Sequence, residues 1–499
     1  MVRTAWWFLC LLMVAGLPAA GVGATAPAGV GATVPAGVGA AVPAGVGATV
    51  PAGVGATVPA GVGATVPAGQ RPAPELTMVL TGDSIITRAL SVYEEPEYLE
   101  MIERIRGADV AFTNLEMLLH DYEVSPAHQS GGTWMRGDPA MAGELVWAGF
   151  DLVAMANNHT GDYGVEGMRL TMKHVREAGL VGAGVGESLM AAREAKFLET
   201  AKARVALISM ASTFTAHSVA GRSRGDMPPR PGLSPLRFTT TQIVPPDAMA
   251  KLRDAAAALG QNVPGQNVPE APQRLRFSGE TYVLGDALAR RSEPNEQDVA
   301  EIAAVVRNAK QLADYVIVTI HAHESGAERM APAEFLVIFA RAMVDAGADV
   351  FVGHGPHVLR GIEIYQGKPI FYSLGDFIFQ NETLLRLPAE NYQAYDLGAD
   401  EHVADFNDRR YAGDTRGFPS QPEIWESVIA MPTFRGGELV SIELHPISLQ
   451  FGAPAWVRGR PLPAEPELSR KILDDLIRIS APFGTTIRAE GGVGVVEVR

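Results

Sequence analysis

The sequence predicts an α/β protein. Five short apolar segments, each the length of a buried strand, alternate with segments that carry apolar residues at helical spacing. A hydrophobic content of 47% with 53 glycines is typical of a globular chain, so the 499 residues can bury a large core. The repeating unit is therefore strand, loop and helix. The clearest helical patterns cover Val165–Glu177, Glu296–Ala313 and Pro332–Ala346.

Residues 1–24 have the order of a secretory signal. One early arginine precedes an apolar run from Ala5 to Leu17, and small residues follow this run. The uncharged stretch from Thr4 to about Ala24 is also nearly long enough to span a bilayer, so an uncleaved anchor is the alternative. Either case predicts a secreted or extracytoplasmic protein, in the second case anchored in the membrane through its N-terminus.

Residues 21–75 form a low-complexity linker. Six octapeptides between Gly21 and Ala68 each approximate GVGATVPA, with a proline every eight residues and no charge. Such a segment has no amphipathic period and little apolar surface to bury, so it predicts a tether rather than a domain. The alternative is an expanded repeat whose length has no function.

Charge and cysteine content exclude two classes of site. With 41 basic against 56 acidic residues the formal net charge is −15, the wrong sign for binding phosphate backbones, so nucleic acid is not an expected partner. Cys10 is the one cysteine in the sequence, so the chain can form neither an internal disulfide nor a thiolate metal site in its predicted domain. Any metal must be bound by His, Asp, Glu or Asn.

Each of the five predicted strands ends in side chains that can bind a metal. The strands are LTMVL, DVAFT, FDLVAMA, DYVIVTI and DVFVG. In open α/β sheets, binding sites gather beyond the carboxyl ends of the strands, so we expect these side chains to meet. They are Asp83, Glu116, Asn158, His159, His321, His354 and His357.

Mixed oxygen and nitrogen donors predict a centre for two divalent metal ions. Carboxylate and amide oxygens together with imidazoles suit Zn²⁺, Mn²⁺ or Fe²⁺, and a carboxylate can bridge two such ions. His159 follows a candidate ligand and could protonate a leaving group, with Asp162 or Asp151 orienting its ring. The sequence therefore predicts metal-dependent chemistry with His159 as the acid.

Five motifs, in this order, carry a family resemblance. TGDSIITR, FTNLEMLL, MANNHTGDYG, VIVTIHAHESG and VGHGPHVLRGIEIYQGKPIFYSLGDFIF resemble the CapA family of capsule-biosynthesis proteins, part of the metallophosphatase-like superfamily, over about Leu76 to Gln380. The resemblance implies a metallophosphatase-like four-layer α/β/β/α sandwich, an extracytoplasmic position and a dinuclear metal site. It also implies a part in making, exporting or anchoring poly-γ-glutamate.

The resemblance further implies a role for each candidate residue. Asp83 corresponds to the first-motif metal ligand, and Glu116 takes the bridging position that an aspartate usually fills. Asn158 would bind the second metal beside the catalytic His159. The late imidazole ligands would be His321, His354 and His357.

Four motifs depart from the family pattern. The opening Asp-x-His motif has Ile85 in place of its histidine, which removes one ligand, and the late Gly-His-x-His motif is one residue wider here. Many relatives have His-Trp-Gly where this chain has His-Ala-His, and since residues two apart on a strand share a face, His323 is a candidate replacement ligand. The usual Leu-Gly-Asn ends in Asp376, with no predicted consequence. Further candidates for ligands or supporting positions are Asn114, Asp162 and Glu324.

Each motif also has an interpretation without metal. A Gly-Asp after a strand is common in turns, Asn158 could belong to a helix cap, and Glu116 could be a solvated carboxylate. Gly82-Asp83-Ser84 is also similar to the nucleophile block of the GDSL-type esterases, in which Ser84 would attack an acyl carbonyl. That class needs an Asp-x-x-His near the carboxyl end, and none follows Gly353 in the sequence.

The motifs predict one large domain over residues 76–460 and a helix-and-strand extension over 461–499. Within the domain, residues 214–294 are rich in proline and glycine and lack apolar periodicity, which predicts an irregular insertion that serves as a lid or partner surface. The segments ESVIAMPTF and LVSIELHPISL predict a hairpin in the second sheet of a sandwich. Asn381–Gln421 is polar and predicts a loop near the mouth of the site.

Two functional classes stay open. In the first, two metals activate water against a phosphoester or amide-like bond of an anionic polymer or a small-molecule substrate, with His159 as the acid. In the second, the chain is a non-catalytic capsule export or anchoring component, whose metal-lined pocket binds an anionic polymer for a membrane synthase complex. The missing histidine at Ile85 favours the second class, while the presence of Asn158 and His159 favours the first.

Overall fold

The computed structural model describes residues 75–261 and 273–498. The predicted signal or anchor, residues 1–24, lies outside these ranges, as does the predicted linker apart from its last residue. Within the described ranges, no helix is long and apolar enough to cross a membrane. The described residues belong to one compact unit.

The α/β prediction is confirmed, and all five predicted strands and all three predicted helices are present. The described strands, in chain order, are β1 Glu75–Ile85, β2 Val110–Leu115, β3 Leu118–Leu119, β4 Arg136–Gly137, β5 Leu152–Ala154, β6 Val181–Ala183, β7 Val185–Gly186, β8 Lys196–Glu199, β9 Arg204–Ala211, β10 Gly232–Leu233, β11 Phe238–Val244, β12 Arg274–Phe277, β13 Glu280–Leu284, β14 Ala289–Pro294, β15 Tyr315–His321, β16 Val350–His354, β17 Ile362–Tyr365, β18 Lys368–Phe371, β19 Asp376–Phe379, β20 Glu426–Arg435, β21 Glu438–Ser448, β22 Leu462–Pro463, β23 Ile487–Glu490 and β24 Val493–Val496. The described α-helices are α1 Pro96–Arg106, α2 Met141–Ala148, α3 Gly164–Glu177, α4 Leu189–Arg193, α5 Pro246–Ala258, α6 Glu296–Lys310, α7 Glu334–Asp345, α8 Ala389–Gln393, α9 Val403–Tyr411 and α10 Pro466–Ser480.

The larger sheet has the strand order β23-β24-β21-β20-β1-β2-β5-β6, with β19 also paired to β1 and β22 to β21. β1, β2, β5 and β6 run parallel, as the helical crossovers between them require. The predicted hairpin forms as β20 and β21, and its two-residue turn has positive φ at Gly436 and Gly437, the conformation of a type I′ turn. Its predicted place in the second sheet is wrong, because β20 pairs antiparallel with β1 and buries Phe434 opposite Leu76.

The smaller of the two main sheets has the order β17-β18-β16-β15-β9-β8. Its four central strands β18, β16, β15 and β9 are parallel, and the two edge strands β17 and β8 are antiparallel to their neighbours. β15 and β16 are buried along their whole length, which explains why they are continuous apolar runs in the sequence.

The two sheets pack face to face, and helices cover their outer faces. One apolar cluster joins residues of both sheets, among them Leu80, Phe112 and Ile317. A second cluster joins the larger sheet to α1, α2 and α3, and a third joins the smaller sheet to α6 and α7. Along β1, Leu80 belongs to the cluster between the sheets and Val79 to the helical one, because alternate side chains of a strand point to opposite faces. The four-layer α/β/β/α sandwich is therefore confirmed.

The predicted insertion over residues 214–294 contains regular structure in its described part, so the expectation of an irregular segment is wrong. It forms a four-stranded sheet in the order β12-β13-β11-β14, which α5 covers. Its apolar core is small, and most strand residues are only partly buried, so the sequence shows little apolar alternation. Phe238 attaches this sheet to the domain by stacking on Phe335 of α7, with ring centroids 4.2 Å apart.

The described part of the C-terminal segment 461–499 is integrated into the sandwich. β22, β23 and β24 add to the larger sheet, and α10 buries Ile472, Leu473 and Leu476 in the cluster that joins the two sheets. The segment therefore belongs to the same core as the strands that end at the candidate site.

Candidate metal centre

Strands from both main sheets end at one buried cluster of side chains. In the larger sheet, parallel pairing places Asp83 of β1 beside Asn114 of β2 and beside Asp376 of β19. In the smaller sheet, parallel pairing places His321 of β15 beside His354 of β16. The cluster thus lies where the carboxyl ends of two face-to-face sheets meet, the usual place for a site in such folds.

Three groups of side chains in the described residues could each hold a metal ion, and the ligand atoms within each group lie within 4.8 Å of one another. His321 belongs to two groups because its two ring nitrogens face different neighbours. Its Nδ1 lies 3.1 Å from Nδ1 of His354 and 3.5 Å from Oδ1 of Asp83, while its Nε2 lies 2.9 Å from Nε2 of His323. The groups are Asp83, His321 and His354; Glu116, His321 and His323; and Asp83, Glu116, His357 and Asp376.

Glu116 lies at the middle of the cluster without a hydrogen-bond partner. Its side chain is fully buried, and both carboxylate oxygens lack a hydrogen bond. Three imidazole Nε2 atoms surround its Oε1, at 3.6 Å for His321 and 3.9 Å for both His159 and His357. These distances are too long for hydrogen bonds but leave space for a cation between the groups. Complete burial excludes the interpretation of Glu116 as a solvated carboxylate.

Three other buried oxygens of candidate site residues also lack partners, namely Oδ1 of Asn114, Oδ1 of Asn158 and Oδ2 of Asp376. Each such oxygen carries lone pairs and no proton, and leaving it unsatisfied costs about 1–3 kcal/mol. Divalent cations coordinated by oxygen and imidazole satisfy lone pairs of this kind. The donor set therefore fits the two divalent ions, Mn²⁺, Zn²⁺ or Fe²⁺, that the sequence predicts.

Burial and neighbouring charges shift the pKa values in the cluster in different directions. Burial, with Asp83 and Asp376 nearby, raises the pKa of Glu116 well above its usual range. Burial alone would raise the pKa of Asp83, but contacts with His321 and His354 lower it well below the usual range. Burial lowers the pKa of His321 to about 4, so this imidazole is neutral at pH 7 and able to bind a metal.

Asp376 is a site residue that the sequence analysis did not assign. Its Oδ1 lies 2.8 Å from Nδ1 of His357, which directs Nε2 of that imidazole towards Glu116. Burial raises the pKa of Asp376 to about 6, against the opposing effect of His357. The departure from Leu-Gly-Asn was the signal in the sequence, because it exchanges an amide for a carboxylate at this position.

The wider histidine motif has a backbone explanation. Gly355 has φ of 113°, and a side chain there would place Cβ 2.9 Å from the backbone nitrogen of Ala322. Its own N–H donates to Oδ2 of Asp83 over 2.7 Å. His357 follows with φ of 57°, a conformation that non-glycine residues rarely adopt and that is often found at functional sites. The additional residue thus lets the loop bind Asp83 and still present His357 to the cluster.

His159 and Asp162 form a hydrogen-bonded pair at the edge of the cluster. Nδ1 of His159 lies 2.7 Å from Oδ2 of Asp162, and the Asp162 carboxylate also accepts from the backbone N–H groups of Gly131 and Met135, each over 2.8 Å. This arrangement leaves Nε2 of His159 free to face Glu116. Asp151, the alternative orienting residue, instead accepts from the backbone N–H of Ala111.

A short 3₁₀ turn, Asn158–Gly161, presents both Asn158 and His159. The cap of this turn is Asn157, whose side chain accepts from the backbone N–H of His159 over 3.1 Å. Asn158 is not the cap, and its Nδ2 donates to the carbonyl of Gly131 while its Oδ1 stays unpaired. A cavity of about 80 Å³ opens onto the turn, and its walls include Ile85, Asn158, His159, His323 and His357.

The remaining candidates lie around the ligands rather than among them. Nδ2 of Asn114 donates to Oδ1 of Asp83 over 2.7 Å. Glu324 accepts from the hydroxyls of Ser212 and Thr213 and is in none of the three groups. The buried hydroxyl of Ser84 pairs with Thr113 over 2.7 Å rather than with an imidazole, which argues against a serine nucleophile.

The fold and this cluster define a class of protein: an α/β/β/α sandwich with a buried carboxylate and imidazole centre where its two sheets meet. Within that class, the chain belongs to the family of the bacterial capsule synthesis protein PGA_cap, whose family model matches residues 77–381. The recognition of the CapA family from the sequence is confirmed.

Individual proteins similar to this chain include two bacterial sequences and one solved structure. The chain is 40% identical over 436 residues to the uncharacterized protein y4uA of Sinorhizobium fredii (strain NBRC 101917 / NGR234), covering 85% of this chain and 93% of that protein. It is 27% identical over 232 residues to the capsule biosynthesis protein CapA of Bacillus anthracis, covering 46% of this chain and 41% of that protein. Among solved structures, the 5′-nucleotidase precursor from Thermus thermophilus superposes with a TM-score of 0.30 and 12% identity, over 81% of this chain and 58% of that one.

Proposed function

We propose that this chain is an extracytoplasmic, metal-dependent hydrolase-like capsule protein that acts on an anionic polymer, for which the family resemblance implies poly-γ-glutamate. The observation that carries the proposal is the unsatisfied carboxylate of Glu116, which faces three imidazoles. One of the three belongs to His159, which is paired with Asp162. The name of the Bacillus anthracis relative, a capsule biosynthesis protein, supports the assignment of this chain to capsule formation.

The residues that would hold the two ions are those of the three overlapping groups described above. Asp83, His321 and His354 form one group, and the other two both include Glu116, with imidazoles on either side of it. When bound, such ions polarise the bond to be cleaved and supply a nucleophilic water at neutral pH. Asp83, Glu116 and His321 each belong to two of the three groups, so the groups share residues.

The residues of the protein supply the proton for the leaving group and keep bulk water away from it. The Asp162 carboxylate accepts a hydrogen bond from the Nδ1–H of His159, which fixes the ring so that Nε2 faces the cavity. With a proton on Nε2, His159 can act as a general acid towards the leaving group of a bond held in that cavity. His159 is only 6% exposed, so bulk water has little access to this proton.

A second function, binding without turnover, has one observation in its favour. Ile85 lines the cavity at the position where the family pattern has a histidine ligand, so an apolar side chain replaces a metal-binding one. In that case the chain is a non-catalytic export or anchoring component that guides the polymer for a membrane synthase complex. Its binding of the polymer would still depend on metal.

The deciding experiment uses the purified full chain. Metal content is measured by plasma mass spectrometry after incubation with Mn²⁺ or Zn²⁺, and turnover is measured on γ-glutamyl oligomers and on phosphoesters. We expect about two equivalents of metal, with metal-dependent turnover that His159→Gln abolishes while metal stays bound. Metal-dependent polymer binding without turnover would support the second function, and a wild-type protein that binds no metal would overturn both.

A further inference from the structure

Residues 381–421 contribute to the wall of the cavity beside the candidate metal centre, and we call this stretch the cap segment. It contains α8 and α9 together with the 3₁₀ turn Phe418–Ser420. Three of its side chains, Asn381, Arg410 and Phe418, line the cavity that His159 also lines. Phe418 packs against the ring of His357 with centroids 5.5 Å apart. The family match ends at residue 381, so almost the whole cap segment lies beyond it.

Arg410 is the one arginine or lysine among the described residues that line this cavity. Its Nη1 donates to the hydroxyl of Thr133, and its guanidinium carbon lies 5.1 Å from the ring centroid of Tyr411 and 5.9 Å from that of Phe418. Within residues 75–261 and 273–498, no carboxylate forms an ion pair with Arg410. A half-buried guanidinium that stacks on aromatic rings but has no anionic partner is available to bind one.

The position of Arg410 is fixed relative to the metal centre. The Nδ2 group of Asn407, on the same helix, donates to the carbonyl of Glu382 over 2.9 Å. Arg458 joins the start of the cap segment to its middle, because its guanidinium contacts the carboxylates of Glu382 and Asp414, each over 2.6 Å. Glu382 follows β19, whose first residue is Asp376 in the cluster.

We propose that Arg410 binds an oxyanion of the substrate, next to the bond that the metal centre acts on. This inference rests on the proposed function. The cluster contains the carboxylates Asp83, Glu116 and Asp376, which would repel an anionic substrate, and Arg410 provides the opposite charge at the cavity wall. The matching substrates carry a carboxylate beside the bond, as every unit of a γ-glutamyl chain does, or a phosphoryl group.

The test measures binding of two probes to the full chain loaded with Mn²⁺. Calorimetry is carried out with a γ-glutamyl oligomer and with inorganic phosphate on wild type, Arg410→Ala, Arg410→Lys and Arg409→Ala. Arg409 is the matched control because it lies on the same helix, carries the same charge, is exposed and does not line this cavity. Metal content and melting temperature of each variant are measured alongside.

We expect Arg410→Ala to weaken oligomer binding by about 10- to 100-fold, the effect of one charge-assisted hydrogen-bonding group. Arg410→Lys should retain part of the affinity, and Arg409→Ala should bind like wild type. A loss confined to the oligomer identifies a carboxylate as the bound group, and a loss confined to phosphate identifies a phosphoryl group. Equal affinity of wild type and Arg410→Ala for both probes would overturn the inference and leave the proposed function standing. If metal-loaded wild type binds neither probe, the proposed function itself fails.

Discussion

The hydroxyl of Thr319 lies 2.9 Å from Nε2 of His354 and donates its proton to the carbonyl of Val352, also over 2.9 Å. Because this hydroxyl has only one proton, it must accept the hydrogen bond from Nε2 of His354. The imidazole is therefore the tautomer whose Nδ1 carries the lone pair, and Nδ1 lies 3.2 Å from Oδ1 of Asp83. A side chain outside the ligand groups thus prepares His354 to bind a metal.

Replacing Thr319 by valine should lower metal affinity without removing a ligand. Thr319→Val keeps the shape of the side chain but no longer fixes the tautomer of His354, so we expect affinity for Mn²⁺ or Zn²⁺ to fall by about 10- to 100-fold. Titration of metal into the chelator-treated chain measures this, with His354→Ala as the variant that loses the ligand itself. A Thr319→Val protein with wild-type affinity would show that the tautomer is set in another way.

Glu116→Gln should separate metal binding from folding. The Glu116 carboxylate is buried without a hydrogen bond, and its pKa is raised well above the usual range by burial. Removing its charge should therefore abolish the rise in melting temperature on adding metal, while the variant in chelator is at least as stable as wild type. Calorimetric melting with and without Mn²⁺ measures both effects.

Glu324→Gln is the matched control for that experiment. The Glu324 carboxylate accepts from Ser212 and Thr213 and is in none of the metal-binding groups. This variant should keep the metal-dependent rise in melting temperature and lose about 1–3 kcal/mol in the free energy of unfolding. Retention of that rise by Glu116→Gln would remove Glu116 from the set of ligands.

His159 and Asp162 should act as one unit in catalysis. On a substrate that the chain hydrolyses, we expect His159→Gln to lower kcat by about 100- to 10,000-fold, and Asp162→Asn to lower it by about 10- to 100-fold because the ring loses its orientation. The double variant should be no slower than His159→Gln alone, since Asp162 acts through the imidazole. Multiplicative losses would instead assign Asp162 an independent role, and loss of metal from His159→Gln would make that residue a ligand.

The sequence was sufficient to predict the layers of the sandwich but not every residue of the candidate metal centre. β15 and β16 are buried on both faces, so their apolar runs identify them without further information, and α6 begins at Glu296 where its pattern predicts. Asp376 is different, because it begins a strand instead of ending one. Only its pairing beside Asp83, nearly three hundred residues away in the chain, brings it into the cluster, and a single sequence does not specify such a register.

Segments whose structure depends on charged or half-buried contacts have a weaker signal in the sequence. The strands of the insertion, such as β11, are mostly half-buried and so lack the apolar alternation that predicts a strand. Arg410 lies in a segment that composition marks only as a polar loop. Its place at the cavity depends on long-range contacts such as the ion pairs between Arg458 and the carboxylates of Glu382 and Asp414.

Arg458→Met should therefore loosen the cap segment more than the sandwich. Glu382 is only 9% exposed, and the substitution removes the guanidinium that pairs with its carboxylate. Breaking a buried ion pair in this way costs about 3–5 kcal/mol in the free energy of unfolding. We expect faster amide hydrogen exchange in α9, with little change in β15 and β16. Uniform destabilisation of cap and sheets would show that the cap segment does not open separately.

The stability of the chain should fall as the pH drops from 7 to 5, in part because of His120. Burial, with Arg136 nearby, lowers the pKa of His120 to about 4, whereas the unfolded chain has the ordinary value of about 6.5. Between these values the unfolded state binds more protons than the folded state, so protonation favours unfolding and stability is lost with falling pH. For this group alone the loss between pH 7 and 5 is about 2 kcal/mol.

His120→Gln should remove that part of the pH dependence, because glutamine does not titrate and can still accept the hydrogen bond that the backbone N–H of Tyr122 donates to His120. The measurement is urea unfolding of wild type and variant at pH 7 and pH 5, in chelator so that metal binding does not contribute. The variant should be less stable than wild type at pH 7, because it fills the pocket against Tyr163 less well, and this difference should narrow or reverse at pH 5. Parallel pH dependences would mean that His120 has the same pKa in the folded and unfolded states, as it would if it became solvated before it titrates.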